Sequence, residues 1–323
     1  MKKWLMGLCL CICMAAVGLS GCTPQNAATT ANSSQSKGVY AEITDDADRT
    51  VTLKEKPQRV VVLSTSILNF AAAIDGDVAG RATVKSEDAS IADKYKDVPE
   101  VGPVYNVSAE KVMELKPDLV IASAKQHQKL IPILEQNHIP VIALKSKSYD
   151  DVKRNMEIIG QVYGKEEAAK AKISEMDTEI AAIVDKLPQE KKKIAIIYAT
   201  PSAVSVQLPS SIAGNVADIL HFENVAAAAQ QDANGAEKVP YSMETLVEQN
   251  PDIIFFTSMG QKDKIEKRIQ EDVKSNPAWG TLRAVQEGQV YVLPENYFLL
   301  NPGLEYPKAV AYMAKLVYPE VYK

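Results

Sequence analysis

Beyond position 22 this sequence contains no cysteine; its four stand at Cys9, Cys11, Cys13 and Cys22. If the first 21 residues are removed, no internal disulfide can form. Neither a cysteine-based zinc cluster nor an iron–sulfur centre can then be built. Histidine is nearly as scarce: His127, His138 and His221 are the full set. There is no G-x-S-x-G, no P-loop, no H-E-x-x-H and no G-x-G-x-x-G after a strand, so no catalytic motif is readable. Basic residues do not form a stripe, and 36 of them face 41 acidic ones. That balance argues against a nucleic-acid partner. Lys191-Lys192-Lys193 reads as a solvated turn ahead of a strand. A chain without disulfides must hold itself by burying a core. About 300 residues suffice for that, and the length suggests two domains.

What is present begins with a targeting pattern. Lys2 and Lys3 precede an apolar run from Trp4 to Leu19, which closes on Leu19-Ser20-Gly21-Cys22. The run has signal-peptide length and is short for a membrane span, which needs roughly 20 apolar residues. Its end resembles the lipobox of bacterial lipoproteins. Residues 1–21 are therefore expected to be a signal peptide, and Cys22 the lipid-attachment site at the outer face of the cytoplasmic membrane. Residues 22–38, small and polar, read as a flexible tether. Without Lys2 and Lys3, 34 basic residues face 41 acidic ones, a formal −7.

Short β-branched runs then alternate with amphipathic stretches. Residues 59–63, 119–121, 140–144, 194–198, 253–256 and 290–293 read as strands buried on both faces. Alternation of this kind gives an α/β fold with parallel-type sheets. One segment differs. Asp150 to Leu187 lacks any strand signal and has one break, at Tyr163-Gly164. Lys165–Leu187 places Ala168, Ala171, Met176, Ile180, Ile183 and Leu187 near helical spacing. At about 1.5 Å per residue this is a rod of roughly 35 Å, ended by Pro188. The expected organisation is an α/β lobe over 39–150, a linking helix over 151–188 and a second α/β lobe over 189–323.

One unit occurs twice. Ser108–Ser123 reads SAEKVMELKPDLVIAS and Ser242–Ser258 reads SMETLVEQNPDIIFFTS. In both, Ser stands two residues before Glu, and Pro follows that Glu by seven residues, with Asp after it. Ser108 and Ser242 are good N-caps. Glu110 and Glu244 fall in the first turn, where a carboxylate meets the positive end of the helix dipole. Pro117 and Pro251 end the helix, and Asp118 and Asp252 lead into the strand. Helix-terminus stabilisation accounts for one such Glu; a matched pair in two lobes calls for more.

S-x-E, then P-D and an apolar strand resembles the ABC-importer binding proteins for iron–siderophore, haem and cobalamin. Asp45–Leu53 with Pro57–Val61 resembles that family's opening hairpin and first strand. Pro99–Gly102 resembles its approach to the first pocket loop, and Asn276–Trp279 through Tyr291 its late second-lobe segment. The resemblance implies two Rossmann-like lobes facing across a cleft and joined by a single long backbone helix, the class III periplasmic-binding-protein architecture. It implies that Glu110 and Glu244 dock to an ABC permease dimer carrying ATPase subunits. It further implies a monomeric carrier with no intrinsic cofactor and no catalytic turnover.

For the ligand, Asn301–Pro307 is similar to the end of the haem-binding lipoproteins of iron-regulated surface determinant systems. Those hold haem iron with Met and His. The matching positions here are Tyr105 and Met259, so that pair is not reproduced. Tyr105 as a tyrosinate and Met259 as a thioether are the candidate haem-iron ligands. Cleft lining is expected from 64–68, 102–107, 124–127, 200–211, 239–241, 258–261 and 295–301. His127 is an alternative ligand, and Lys125, with Lys145 and Lys147, could pair with ligand carboxylates. None of the six arginines falls in these loops, which disfavours a strongly anionic siderophore. Haem leads; a neutral or hydroxamate siderophore and a corrinoid stay open, and a two-lobe metalloenzyme subunit is the alternative of another class.

Overall fold

The computed structural model describes residues 38–83, 93–200, 204–230, 235–240, 242–259, 267, 271 and 276–323. The signal segment, Cys22 and the tether as far as Lys37 lie outside the described residues. So do residues 201–203, 241, 260 and 261 of the expected cleft loops.

The chain enters through an antiparallel hairpin, β1 (Ala41–Thr44) and β2 (Thr50–Leu53). Its turn is organised by Asp45. That carboxylate is 2% exposed and accepts the amides of Ala47 and Arg49 at 3.0 and 3.1 Å. It also takes the amide of Ala143 at 3.0 Å, which fastens the hairpin to the first lobe.

The first lobe alternates β3 (Val60–Val62), α1 (Thr65–Ala73), β4 (Gly80–Thr83), β5 (Glu100–Pro103), α2 (Ala109–Glu114), β6 (Leu119–Ser123), α3 (Ile131–Gln136) and β7 (Val141–Leu144). The sheet order is β5-β4-β3-β6-β7, and every pairing is parallel. The apolar run Val60-Val61-Val62 is buried along its whole length because helices cover both faces. Burial of each such side chain stabilises the fold by roughly 1.5–3 kcal/mol.

The second lobe holds β8 (Lys193–Ala199), β9 (Val204–Gln207), α6 (Ile212–Ile219), β10 (Glu223–Asn224), β11 (Lys238–Pro240), α7 (Met243–Gln249), β12 (Ile253–Thr257), α8 (Arg283–Gln286), β13 (Val290–Val292), α9 (Glu295–Phe298) and α10 (Tyr306–Val317). Its order is β11-β9-β8-β12-β13, with β10 beside the start of β8. This sheet is mixed, since β9 runs antiparallel to both β8 and β11. β13 was expected to be buried and is half-buried, because it forms the sheet edge.

The link over 151–188 is two helices in place of one, α4 (Tyr149–Tyr163) and α5 (Glu166–Val184). A capping box starts α4: Ser148 Oγ accepts the Asp151 amide, and Asp151 accepts the Ser148 amide. Gly164 ends it at φ +59°, in the left-handed region open to glycine. α5 then packs closely on α4, where a Cβ on Gly160 would stand 2.7 Å from Ala169 Cβ. The buried residues of α5 are Ala169, Met176 and Ile180; Ala168 and Ala171, placed on the apolar face from the sequence, are exposed. On its other side α5 meets α10 of the second lobe, so α4 and α5 together tie the lobes. Gly38–Lys323 forms a single compact unit, and one apolar cluster runs from Ile121 and Val152 through Met176 to Ile194 and Val310.

Candidate functional site

The duplicated unit is reproduced down to single bonds. Ser108 Oγ accepts the Lys111 amide at 3.2 Å and Ser242 Oγ the Thr245 amide at 3.3 Å. Glu110 and Glu244 each stand two residues past the cap, and both are exposed. Among the described residues neither carboxylate has an ion-pair partner. The residue before each proline is left-handed: Lys116 at φ 47° and Asn250 at φ 42°. The two aspartates also match. Asp118 accepts the amides of Gln58 and Arg59 at 2.7 and 2.9 Å, at the entrance to β3. Asp252 accepts the Lys193 amide at 2.9 Å, at the entrance to β8, and pairs with Arg283. The Pro-Asp element is thus a clamp between neighbouring strands.

A cavity of about 440 Å³ opens at the carboxyl ends of strands from both sheets, where open α/β sheets bind ligands. Lys125, just past β6, supplies the first lobe's part. Tyr198 and Gln207, at the ends of β8 and β9, form the second lobe's wall with Met259 and Leu299. Residues 235–238, leading into β11, complete it. Lys238 Nζ lies 3.9 Å from the Tyr198 ring centroid, a cation–π contact that holds both side chains. Glu237 reaches back to the first lobe, 3.1 Å from Lys125 Nζ and 3.1 Å from Lys147 Nζ. Burial would raise the Glu237 carboxyl, but the Lys147 ammonium and the hydrogen bonds from Lys147 and Lys125 outweigh it and keep it below the ordinary carboxylate range.

Of the residues singled out from sequence, Lys125 and Met259 meet in this cavity. Met259 is 52% exposed, so its thioether is free to touch a ligand. Tyr105 is 75% exposed at the tip of the turn after β5 and does not line the cavity. That turn needs Gly102, at φ +113°, where a Cβ would stand 2.9 Å from the Asn106 carbonyl. His127, considered an alternative ligand, has a different role. It is 3% exposed; its Nδ1 accepts the Ser123 amide at 2.9 Å and its Nε2–H donates to the Val104 carbonyl at 2.8 Å. Burial keeps the ring below its ordinary pKa against the opposing pull of the Val104 carbonyl. Both nitrogens are engaged, and the residue anchors the Tyr105 turn. Lys145 pairs with Asp151 at 3.5 Å. Glu237, Lys238 and Tyr198 were not singled out as site residues; nothing in the polar run ahead of Glu237 marks it. Among the described residues no three of His, Cys, Asp and Glu gather to hold a bare metal ion.

Comparison with known proteins fixes the class. The family model described as periplasmic binding protein matches residues 60–297. The chain belongs to the periplasmic binding protein family. It is a binding protein and not an enzyme, and the metalloenzyme alternative is set aside. This binding protein is 28% identical over 292 residues to the Fe(3+)-citrate-binding protein YfmC of Bacillus subtilis (strain 168), covering 89% of this chain and 87% of that one. It is 24% identical over 264 residues to the high-affinity heme uptake system protein IsdE of Staphylococcus aureus (strain MRSA252), covering 81% and 88%. Its fold matches an ABC transporter substrate-binding protein from Listeria monocytogenes EGD-e with TM-score 0.73 at 22% identity, over 82% of this chain and 100% of that one. The two-lobe α/β architecture implied by the resemblance is the one observed, with α4 and α5 in place of the single linking helix.

Proposed function

We propose that this protein captures an iron chelate in the cleft between its lobes and hands it to an ABC permease dimer with its ATPase subunits. The observation that carries the reading is the cavity itself. It lies at the carboxyl edges of both sheets and is walled by Lys125 on one lobe and Tyr198 and Met259 on the other. The names of the relatives, one for ferric citrate and one for haem, support iron in chelated form as cargo. The protein works as a monomer, tethered through lipid on Cys22 at the outer face of the cytoplasmic membrane, with no resident cofactor. Glu110 and Glu244 are its docking carboxylates, one per lobe, for a two-fold permease.

Haem is the first candidate. Its flat apolar face suits Tyr198 and Leu299, Met259 offers a thioether from the second lobe, and Tyr105 offers a tyrosinate from the first to a haem that extends past the cavity wall to the exposed turn after β5. Lys125 and Lys147 suit its propionates. Haemin titrated into the chain from residue 23 should give a high-spin, tyrosinate-like Soret spectrum that Tyr105→Phe abolishes. Absence of tight haemin binding, with tight binding of a ferric hydroxamate, ferric citrate or cobalamin, would transfer the assignment to that ligand.

A further inference from the structure

Resting on that reading, we propose that Glu237 is a built-in competitor for the ligand's carboxylate: it occupies the lysine pair of the first lobe when the cleft is empty, latches the lobes together, and is displaced when a chelate bearing a free carboxylate binds.

The geometry is that of an occupied anion site. One oxygen of Glu237 faces Lys125 Nζ at 3.1 Å and the other faces Lys147 Nζ at 3.1 Å, so one carboxylate spans two ammonium groups. Glu237 belongs to the second lobe and both lysines to the first. Glu237 and Lys125 line the cavity, so a ligand filling it meets this bridge. The bridge is more than a loose surface pair, because its backbones are fixed. The Glu237 carbonyl accepts the Leu208 amide at 2.9 Å, and the Ala236 carbonyl accepts the Ser210 hydroxyl at 2.9 Å. The Lys147 amide donates to Asp151 at 2.7 Å. Next to Lys125, the Gln126 amide donates to Ser123 Oγ at 3.3 Å. The Glu237 side chain is only 29% exposed and that of Lys147 only 30%, so the Lys147 arm is the shielded one; the Lys125 side chain, 79% exposed, forms the solvent-facing arm.

Two lysines a carboxylate apart, already satisfied by a carboxylate, select for a ligand carrying the same group. A chelate with free carboxylates can take both lysines and release Glu237 to water. A chelate without them gains nothing from the pair and leaves the bridge closed. The apparent affinity for the first class is lowered by the fraction of molecules in which the lysines are free. Glu237 therefore sets both the ligand class and the rest state of the lobes.

The test uses the chain from residue 23, which has no cysteine and retains the whole compact unit. Ferric citrate, haemin and ferrioxamine B, a hydroxamate with no carboxylate, are titrated calorimetrically into wild type, Glu237→Gln and the double variant Lys125→Met, Lys147→Met. Glu237→Gln is expected to tighten a carboxylate-bearing chelate about five- to tenfold and to leave ferrioxamine B unchanged. The double variant should lose affinity for the carboxylate chelate alone. Equal or weaker binding of the carboxylate chelate to Glu237→Gln overturns the proposal. Spin labels on Gln136→Cys in the first lobe and Glu248→Cys in the second give a readout that needs no chelate. Without ligand, the distance distribution should widen in Glu237→Gln and in the double variant alike. If no chelate binds wild type, iron-chelate capture fails as a function; the latch then stands if the distribution widens and falls if it does not.

Discussion

Asp45 shows what a single residue contributes here. Its buried carboxylate accepts backbone amides from Ala47, Arg49 and Ala143 and an ion pair from Arg49. Burial alone would raise its pKa; the Arg49 contact and the three amides outweigh that and hold it below the ordinary carboxylate value. A group depressed in the folded state adds stability that is fully present above its unfolded pKa, about 4, and is lost as pH falls through the folded value. Asp45→Asn should therefore cost about 2–4 kcal/mol at pH 7 and flatten the acid limb of stability below about pH 4, read by urea unfolding across pH. An acid limb identical to wild type would show that Asp45 does not carry it. At this scale the sequence was legible where a role is local. Ser108, Glu110, Pro117 and Asp118 act within a few positions of one another, or on the adjacent strand, and their twins repeat the arrangement. His127 was not legible, because its second partner, the Val104 carbonyl 23 positions earlier, reaches the ring only through the fold. Glu237 was missed for the same reason: its lysines lie about 90 and 112 positions away.

Among the elements, the link between lobes carries the next prediction. Gly164 turns α4 into α5 with φ +59°, and a Cβ there would stand 3.0 Å from Tyr40 Oη. Gly164→Ala should destabilise by about 1–3 kcal/mol, since a left-handed conformation costs a side chain that much. A thermal melt should fall by roughly 2–4 °C per kcal/mol for a chain of this size, with ligand affinity retained. An unchanged melting temperature would mean that the joint relaxes freely. The core strands were readable because parallel strands covered on both faces become continuous apolar runs, as in Val60–Leu63 and Ile253–Phe256. β9 and β11 were not, since each is only three or four residues long and neither forms such a run. The break at Gly164 was visible, but the return of α5 onto α4 depends on the close Gly160–Ala169 approach, which spacing alone does not reveal.

For the whole molecule, the internal repeat and the cleft are two aspects of one arrangement. Each sheet sends a Ser-capped helix from its carboxyl edge, so each lobe presents one exposed glutamate. Charge reversal at Glu110 and Glu244 together should leave chelate affinity within about twofold and reduce uptake by cells at least tenfold; such exposed charges add little to folding stability. Uptake equal to wild type would remove these residues from docking. The central claim, capture of an iron chelate between the lobes, is tested most directly by equilibrium titration of the chain from residue 23 with haemin, ferric citrate and a ferric hydroxamate. The account predicts one-to-one binding of at least one of them with a dissociation constant of about 1 μM or below and, where the bound chelate carries a free carboxylate, a loss of at least tenfold with Lys125→Glu. Binding of all three no tighter than about 100 μM, or tight binding of a carboxylate-bearing chelate that is indifferent to Lys125→Glu, would contradict it.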